Sequence, residues 1–204
     1  MRIFNYLKWL QRIYPGSIWG FSVKKEKELY LTFDDGPNSK TTEWILDQLN
    51  QFNAKATFFC LGENAKSHPN LMNQIQQEGH TIGNHTMNHL DGLKTKKEAY
   101  INDVLEAQEY IDSKFFRPPY GRLTKPQYNL LTKKDFKIVF WSFLAYDFDQ
   151  NIDPKLILHK LISRDRSGQI IVLHDSDKAF ENLKVILPKI LTYFQEQGYS
   201  FKAL

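Results

Sequence analysis

The chain has 204 residues, 42% hydrophobic and 14% aromatic, enough for one substantial core and too little for two comfortable domains. Its net charge of +4 and pI near 9.0 fit ordinary solubility, and the scattered Lys and Arg residues form no nucleic-acid module signature, so no nucleic-acid partner is expected. Cys60 is the sole cysteine, which excludes an intramolecular disulfide, and its place after "ATFF" predicts a small core residue.

Residues 1–27 are expected to form a helical or extended segment ahead of the main domain. Ile3, Leu7, Leu10 and Tyr14 fall on one helical face, which predicts a helix packed on the domain. Weak association of residues 1–14 with a membrane surface is the alternative. The segment has no uninterrupted apolar stretch and no small-residue cleavage site, so no signal peptide is expected, and a cytoplasmic or membrane-peripheral location follows as an expectation. The longest apolar run, "IVFWSFLAY" at 138–146, is too short to span a bilayer.

From residue 29 short β-branched or aromatic runs alternate with longer stretches of helical period. Strands are predicted at Leu29 to Phe33, Ala56 to Leu61, Thr81 to Asn84, Phe115 to Arg117, Lys137 to Trp141, Gln169 to Leu173 and Tyr199 to Ala203. Helices are predicted at roughly 41–52, 69–78, 95–111, 124–134, 154–163 and 182–197. Pro69 near a helix start and Gly79 and Gly198 just past helix ends match the expected punctuation. Such alternation implies parallel pairing through right-handed crossovers, in a barrel-like or an open α/β sheet. In either case a site forms at the carboxyl ends of the strands.

Five of those ends carry ionisable or polar residues: Asp34-Asp35, "GNHTMNH" ending in His85 and His89, "RPPYG" at 117–121, "WSFLAYDF" at 141–148, and "VLHD" with His174. A purely structural account does not require this. His85 and His89, four apart, would project from one face of a helical turn and meet one ion. One added carboxylate completes a three-ligand site with an open position. Of the adjacent aspartates, one can bind the metal while the other stays free as a base, and the cation neutralises part of their repulsion. A bend at Gly36-Pro37 is expected to let the two neighbours converge. His174 is a candidate general acid; Asp147 and Arg117 are the other charged residues near strand ends that could orient acid and base, with Arg117 as an ordinary structural ion-pair partner the alternative.

In their order, "TFDDGP", "HTMNH", "RPPYG", the Trp141 to Phe148 segment and "VLHD" resemble the five motifs of the NodB-homology polysaccharide deacetylases, carbohydrate esterase family 4. The resemblance runs from about residue 28 to 204. It implies a single catalytic domain folded as a distorted (β/α) barrel of seven strands, an α/β fold akin to a TIM barrel. It also implies one divalent ion, Zn²⁺ with Co²⁺ or other divalent metals as substitutes, held by Asp35, His85 and His89. By the same resemblance Asp34 is the base and Arg117 positions it. Tyr120 offers a backbone N–H to the oxyanion, with Pro118 and Pro119 beside it, and His174 is the acid, tuned by Asp147. Two departures stand out: the fourth motif has Leu144 where the family has its first Asp and Phe148 where it has Trp, and Val172 stands where Leu is common. The wall facing substrate is therefore altered.

The activity implied is hydrolysis of N-acetyl groups from N-acetylglucosamine-type residues of a poly- or oligosaccharide, by water activated at the metal. A small or lipid-linked amino sugar is an alternative substrate, and a catalytically weak carbohydrate-binding protein on the same fold is a second reading. A monomer is expected. A third reading, the His-x-Asp…His facial triad of non-haem iron oxygenases, would use His89, Asp91 and His174 but leave Asp34, Asp35 and His85 idle. The discriminating measurement is acetate release from acetylated amino sugars.

Overall fold

The structure, a computed structural model, describes residues 10–22 and 26–204. Ile3 and Leu7 of the expected amphipathic face lie outside the described residues. Within them a short helix α1 (Leu10–Ile13) leads to Tyr14, whose ring packs on Phe140 and Tyr128 at 5.4 and 5.1 Å between centroids. The end of the N-terminal segment is thus bound to the domain. No described helix is long and apolar enough to cross a membrane.

The main chain then runs β1 (Lys27–Asp34), α2 (Thr41–Gln51), β2 (Ala56–Cys60), α3 (Gly62–Ser67), α4 (Pro69–Gln77), β3 (Thr81–Asn84), α5 (Lys97–Ala107) and β4 (Phe115–Phe116). After a 3-10 turn (Pro119–Gly121) come α6 (Lys125–Lys133), β5 (Lys137–Ile138), β6 (Phe143–Leu144), α7 (Pro154–Ile162), β7 (Ile170–His174), α8 (Asp177–Glu196) and β8 (Tyr199–Phe201). All strand pairs are parallel, in the order β5-β4-β3-β2-β1-β7-β6, with β8 alongside the start of β1. This is the expected single-domain, distorted (β/α) barrel, curled from seven strands on one path.

The strand predicted at 137–141 divides into two parts. Residues 137–138 pair with β4, whereas Phe143 and Leu144 pair with Ile171 and Val172 of β7. One extended run therefore spans the two edges of the sheet. Ile18 to Phe21 cover the seam: Ile18 N–H donates to Ile138 O and Phe21 N–H to Gly168 O. Without β6 the right edge of β7 would expose unpaired backbone groups. Other ends shift modestly. The last helix starts at Asp177 rather than 182, and α3 forms where no helix was predicted. Gly79 and Gly198 follow α4 and α8 at φ 79° each, the left-handed position that ends a helix without a Cβ penalty.

Leu29, Leu31 and Phe33 of β1 are fully buried in one cluster with Leu46 and Leu49 of α2 and Ile186 and Ile190 of α8. Because successive strand residues alternate faces, Thr32 and Asp34 turn to the opposite side, where the barrel opens. Cys60 is buried in the same cluster, as expected.

Candidate active site

Two registers bring the strand ends together. Asp34 ends β1 beside His174 of β7 on one side and Phe59 of β2 on the other. Asn84, the last residue of β3, pairs with Phe116, so His85 and Arg117 emerge side by side. Asp35 then takes φ 83°, a left-handed conformation that costs a non-glycine residue roughly 1–3 kcal/mol and persists only where the surroundings enforce it. Here the Asp35 N–H donates to Phe59 O (3.3 Å) and its carbonyl accepts from Asn64 Nδ2 (2.7 Å). The bend expected at Gly36-Pro37 thus begins one residue earlier, at Asp35 itself.

Gly36 serves a different need. A Cβ there would lie 1.8 Å from Asp175 Oδ2. Its N–H donates to Asp175 Oδ1 (2.9 Å), while Thr42 Oγ1 donates to Oδ2 (2.8 Å). Burial pushes the Asp175 carboxyl well above the usual carboxylate range, and Asp35 nearby adds to the rise. Sequence reading assigned Asp175 no role; its only signal was an ionisable residue directly after a buried strand.

The two histidines are not on a helical turn. They lie at either end of a loop after β3 in which Thr86 has φ 70° and His89 φ 55°. The four-residue spacing therefore works by loop geometry, not helix geometry. His89 Nε2 is 3.2 Å and His85 Nε2 3.6 Å from Asp35 Oδ1. Ligand atoms of the three residues all lie within 4.8 Å of one another, the sole such grouping of His, Cys, Asp or Glu among the described residues.

Asp35 Oδ1 is buried and accepts no hydrogen bond of good geometry, a costly state unless a cation occupies the space between the donors. Two imidazoles and a carboxylate suit a divalent ion of the zinc type. Their charge states suit it too. Burial would raise the Asp35 carboxyl, but the adjacent His89, with His174 and His85, holds it well below the usual range. Burial drives His85 down to about 4, against the opposing pull of Asp34 and Asp35, so at neutral pH it is the neutral, ligating form. Its Nδ1 lies 2.7 Å from the Arg117 carbonyl. A carbonyl only accepts, so Nδ1 carries the proton and Nε2 the free lone pair.

Arg117 is fully buried. Its Nη1 donates to Asp34 Oδ1 (2.6 Å) and Thr32 Oγ1 (2.7 Å), its Nη2 to Phe140 O (3.1 Å), and the guanidinium stacks 4.0 Å over Phe59. Burial lowers the guanidinium's pKa, opposed by Asp34. A charge so enclosed is tolerable only with its partner in place.

Across the mouth, His174 Nδ1–H donates to Asp147 Oδ1 and its backbone N–H to Oδ2, both at 2.8 Å. Burial works against protonation of His174, but Asp147, with Asp35 and Asp34, overrides it and raises the pKa from 6.5 to about 9. Two consequences follow. The pair's contribution to stability is fully present below the ordinary histidine value and fades as pH rises through about 9. An acid at this position also loses its proton over that range, so a reaction that needs it should fall off on the alkaline side near pH 9, and the Asp147→Asn variant should move that limb downward. A pH profile of turnover for both proteins checks this; identical limbs would detach Asp147 from the acid.

Asp34, Asp35, His85, His89 and His174 line one cleft of about 760 Å³, and Arg117 and Asp147 lie buried behind it. Val172, Leu144 and Phe148 line it together with Pro118 and Tyr120, whereas Pro119 is buried and does not reach the lining. Phe148 stands edge-on to His174 at 4.8 Å. The facial-triad reading fails in the structure: Asp91 is taken by Arg122 (2.7 Å) and joins no metal-competent group.

Comparison with known proteins converges on one kind of molecule. The family model described as Polysaccharide deacetylase matches residues 22–141. A peptidoglycan-N-acetylglucosamine deacetylase of Bacillus cereus is 36% identical over 184 residues, covering 87% of this chain and 66% of its own length; this chain spans just under two thirds of that relative. Among solved structures, the Bc1960 peptidoglycan N-acetylglucosamine deacetylase superposes with a TM-score of 0.87 at 32% identity, covering 98% of this chain and 94% of its own. A family 4 carbohydrate esterase from Streptomyces lividans, in complex with acetate, has a TM-score of 0.77 at 26% identity, covering 86% of this chain and 91% of its own.

Proposed function

The chain belongs to the polysaccharide deacetylase family, and on that basis we propose that it hydrolyses N-acetyl groups from N-acetylglucosamine-type residues of a glycan such as peptidoglycan or a chitin oligosaccharide. The supporting observation is the convergence of Asp34, Asp35, His85, His89 and His174 on one cleft, with Arg117 and Asp147 fully buried behind it and paired to Asp34 and His174.

Asp35, His85 and His89 would hold a divalent cation, and the chemistry it would supply there is Lewis acidity toward an acyl oxygen and a water pKa lowered toward about 7. The protein supplies the proton path. Arg117 occupies Asp34 Oδ1, so Oδ2 is the oxygen that accepts a proton from the attacking water. Holding Asp34 in one rotamer removes a search that would otherwise slow attack. Hydrolysis breaks the amide C–N bond, and the departing nitrogen needs a proton to leave as an amine. His174 carries one: Nδ1 is engaged by Asp147, which leaves Nε2–H to donate. The proton lost to Asp34 and the proton given by His174 balance across the turnover, and exchange with solvent through the open cleft restores both groups. The Tyr120 backbone N–H is the donor assigned to the carbonyl oxygen as it gains charge; one such donor is worth roughly 3 kcal/mol of barrier.

The wall made by Leu144, Phe148 and Val172 replaces family residues that face substrate, which favours altered specificity and keeps a second reading in play, a weak carbohydrate-binding protein on the same fold. Acetate release separates them. Incubation with chitin oligosaccharides and peptidoglycan fragments is expected to liberate acetate, more with added Zn²⁺ or Co²⁺ and none after exhaustive chelation. Glycan binding with no acetate from any of these substrates would favour the second reading.

A further inference from the structure

The segment Arg117 to Gly121 touches three residues of the site, Asp34, His85 and His89. The Arg117 guanidinium fixes Asp34 and its carbonyl fixes His85. The third contact is less expected: the Tyr120 hydroxyl lies 3.1 Å from His89 Nδ1, and its ring stands edge-on to that imidazole at 4.6 Å and 70°. The same residue whose backbone faces the carbonyl in the reading above therefore directs its side chain to a ligand histidine.

The backbone is bent to make this possible. Tyr120 has φ 58°, unfavourable for an aromatic residue. The turn is closed by Gly121 N–H to Pro118 O (2.9 Å) and Arg122 N–H to Pro119 O (3.0 Å). Gly121, at φ 66°, leaves no room for a Cβ, which would meet the Trp141 ring at 2.5 Å. Strain of this kind persists where the surrounding contacts enforce it, and it clusters where a group must be aimed.

His89 differs from His85 in a way that gives the hydroxyl work to do. A carbonyl forces the His85 tautomer, but the Tyr120 hydroxyl can donate or accept. In a cation-free protein, Nε2–H can point at Asp35 and Nδ1 can accept from Tyr120. A cation at Nε2 requires the other tautomer, with Nδ1–H donating to Tyr120 Oη. A backbone acceptor could not serve both states; a hydroxyl rotor can.

We propose that the Tyr120 hydroxyl is a positioning group for the cation: it accepts a hydrogen bond from His89 Nδ1–H and so presents Nε2 as a ligand. The inference rests on the cation site proposed above, and its test reads the metal directly. In Tyr120→Phe the ring, the backbone turn and the edge-on contact with His89 are kept and only the hydroxyl is lost. Zn²⁺ affinity is measured by competition with a chromophoric chelator, and the visible absorption of the Co²⁺ form reports ligand geometry. Affinity is expected to fall about 10–100-fold, the usual cost of losing a supporting hydrogen bond to a ligand histidine, with a changed Co²⁺ spectrum. Affinity within twofold of the wild type and an unaltered Co²⁺ spectrum would overturn the inference while leaving the cation site intact. A wild type that binds no Zn²⁺ or Co²⁺ would overturn the site and the inference together.

Discussion

Asp34→Asn is expected to bind the cation as the wild type does and to lose about 10²–10⁴-fold in turnover, the span that general-base catalysis supplies. The three candidate ligand atoms belong to Asp35, His85 and His89, and none is touched by the change. An amide in place of the carboxylate has no basic oxygen to take the proton of water. The same change removes the counter-charge of a fully buried arginine. Breaking such a pair costs about 3–5 kcal/mol, so the variant should also melt at lower temperature. Turnover is therefore compared per folded molecule, at a temperature where circular dichroism shows both proteins native. Metal content by elemental analysis is the second readout. An Asp34→Asn protein that is folded but empty would refute the division of labour between the two aspartates.

His85→Ala is expected to lose both cation and turnover. It removes one of three donors, the one most deeply enclosed, 2% exposed, and leaves the Arg117 carbonyl without its partner. The affinity loss should exceed the 10–100-fold that accompanies loss of a supporting contact, and residual activity should equal that of chelated wild type. Dialysis against buffered Zn²⁺ followed by elemental analysis checks the first claim, and acetate assays with and without chelator check the second. Full stoichiometric metal in this variant would place the cation elsewhere. Contrasting the two variants matters more than either alone: one separates chemistry from binding, the other ties them.

Much of the framework is legible in the sequence. β1, β2 and β7 read as strands because each is a short run of β-branched and aromatic residues with nothing helical in its spacing. Their ends were legible as a site because parallel α/β sheets present carboxyl ends to one side. Other elements carried no such signal. Two-residue β6 sits inside a longer apolar run with no turn residue to mark it. Six-residue α3 is too short for a period of 3.6 to show. The loop from His85 to His89 looked like a helical turn because the spacing of four is common to both, and positive φ at Thr86 and His89 leaves no trace in composition.

The sequence alone determined which chemical groups the protein owns and the strand ends on which they sit, since local periodicity and turn residues are encoded within a few positions of one another. It held the candidate acid–base and ligand residue types and the paired aspartates, and its resemblance to the family marked the departures at Leu144, Phe148 and Val172. Tertiary structure decided which of those groups meet. Asp34 meets Arg117 across 83 residues, His174 meets Asp147 across 27, and His89 meets Tyr120 across 31. Such contacts depend on strand register and on left-handed residues held by their neighbours, and both emerge only when the whole chain packs, because the energy that enforces them comes from parts of the molecule far away in sequence.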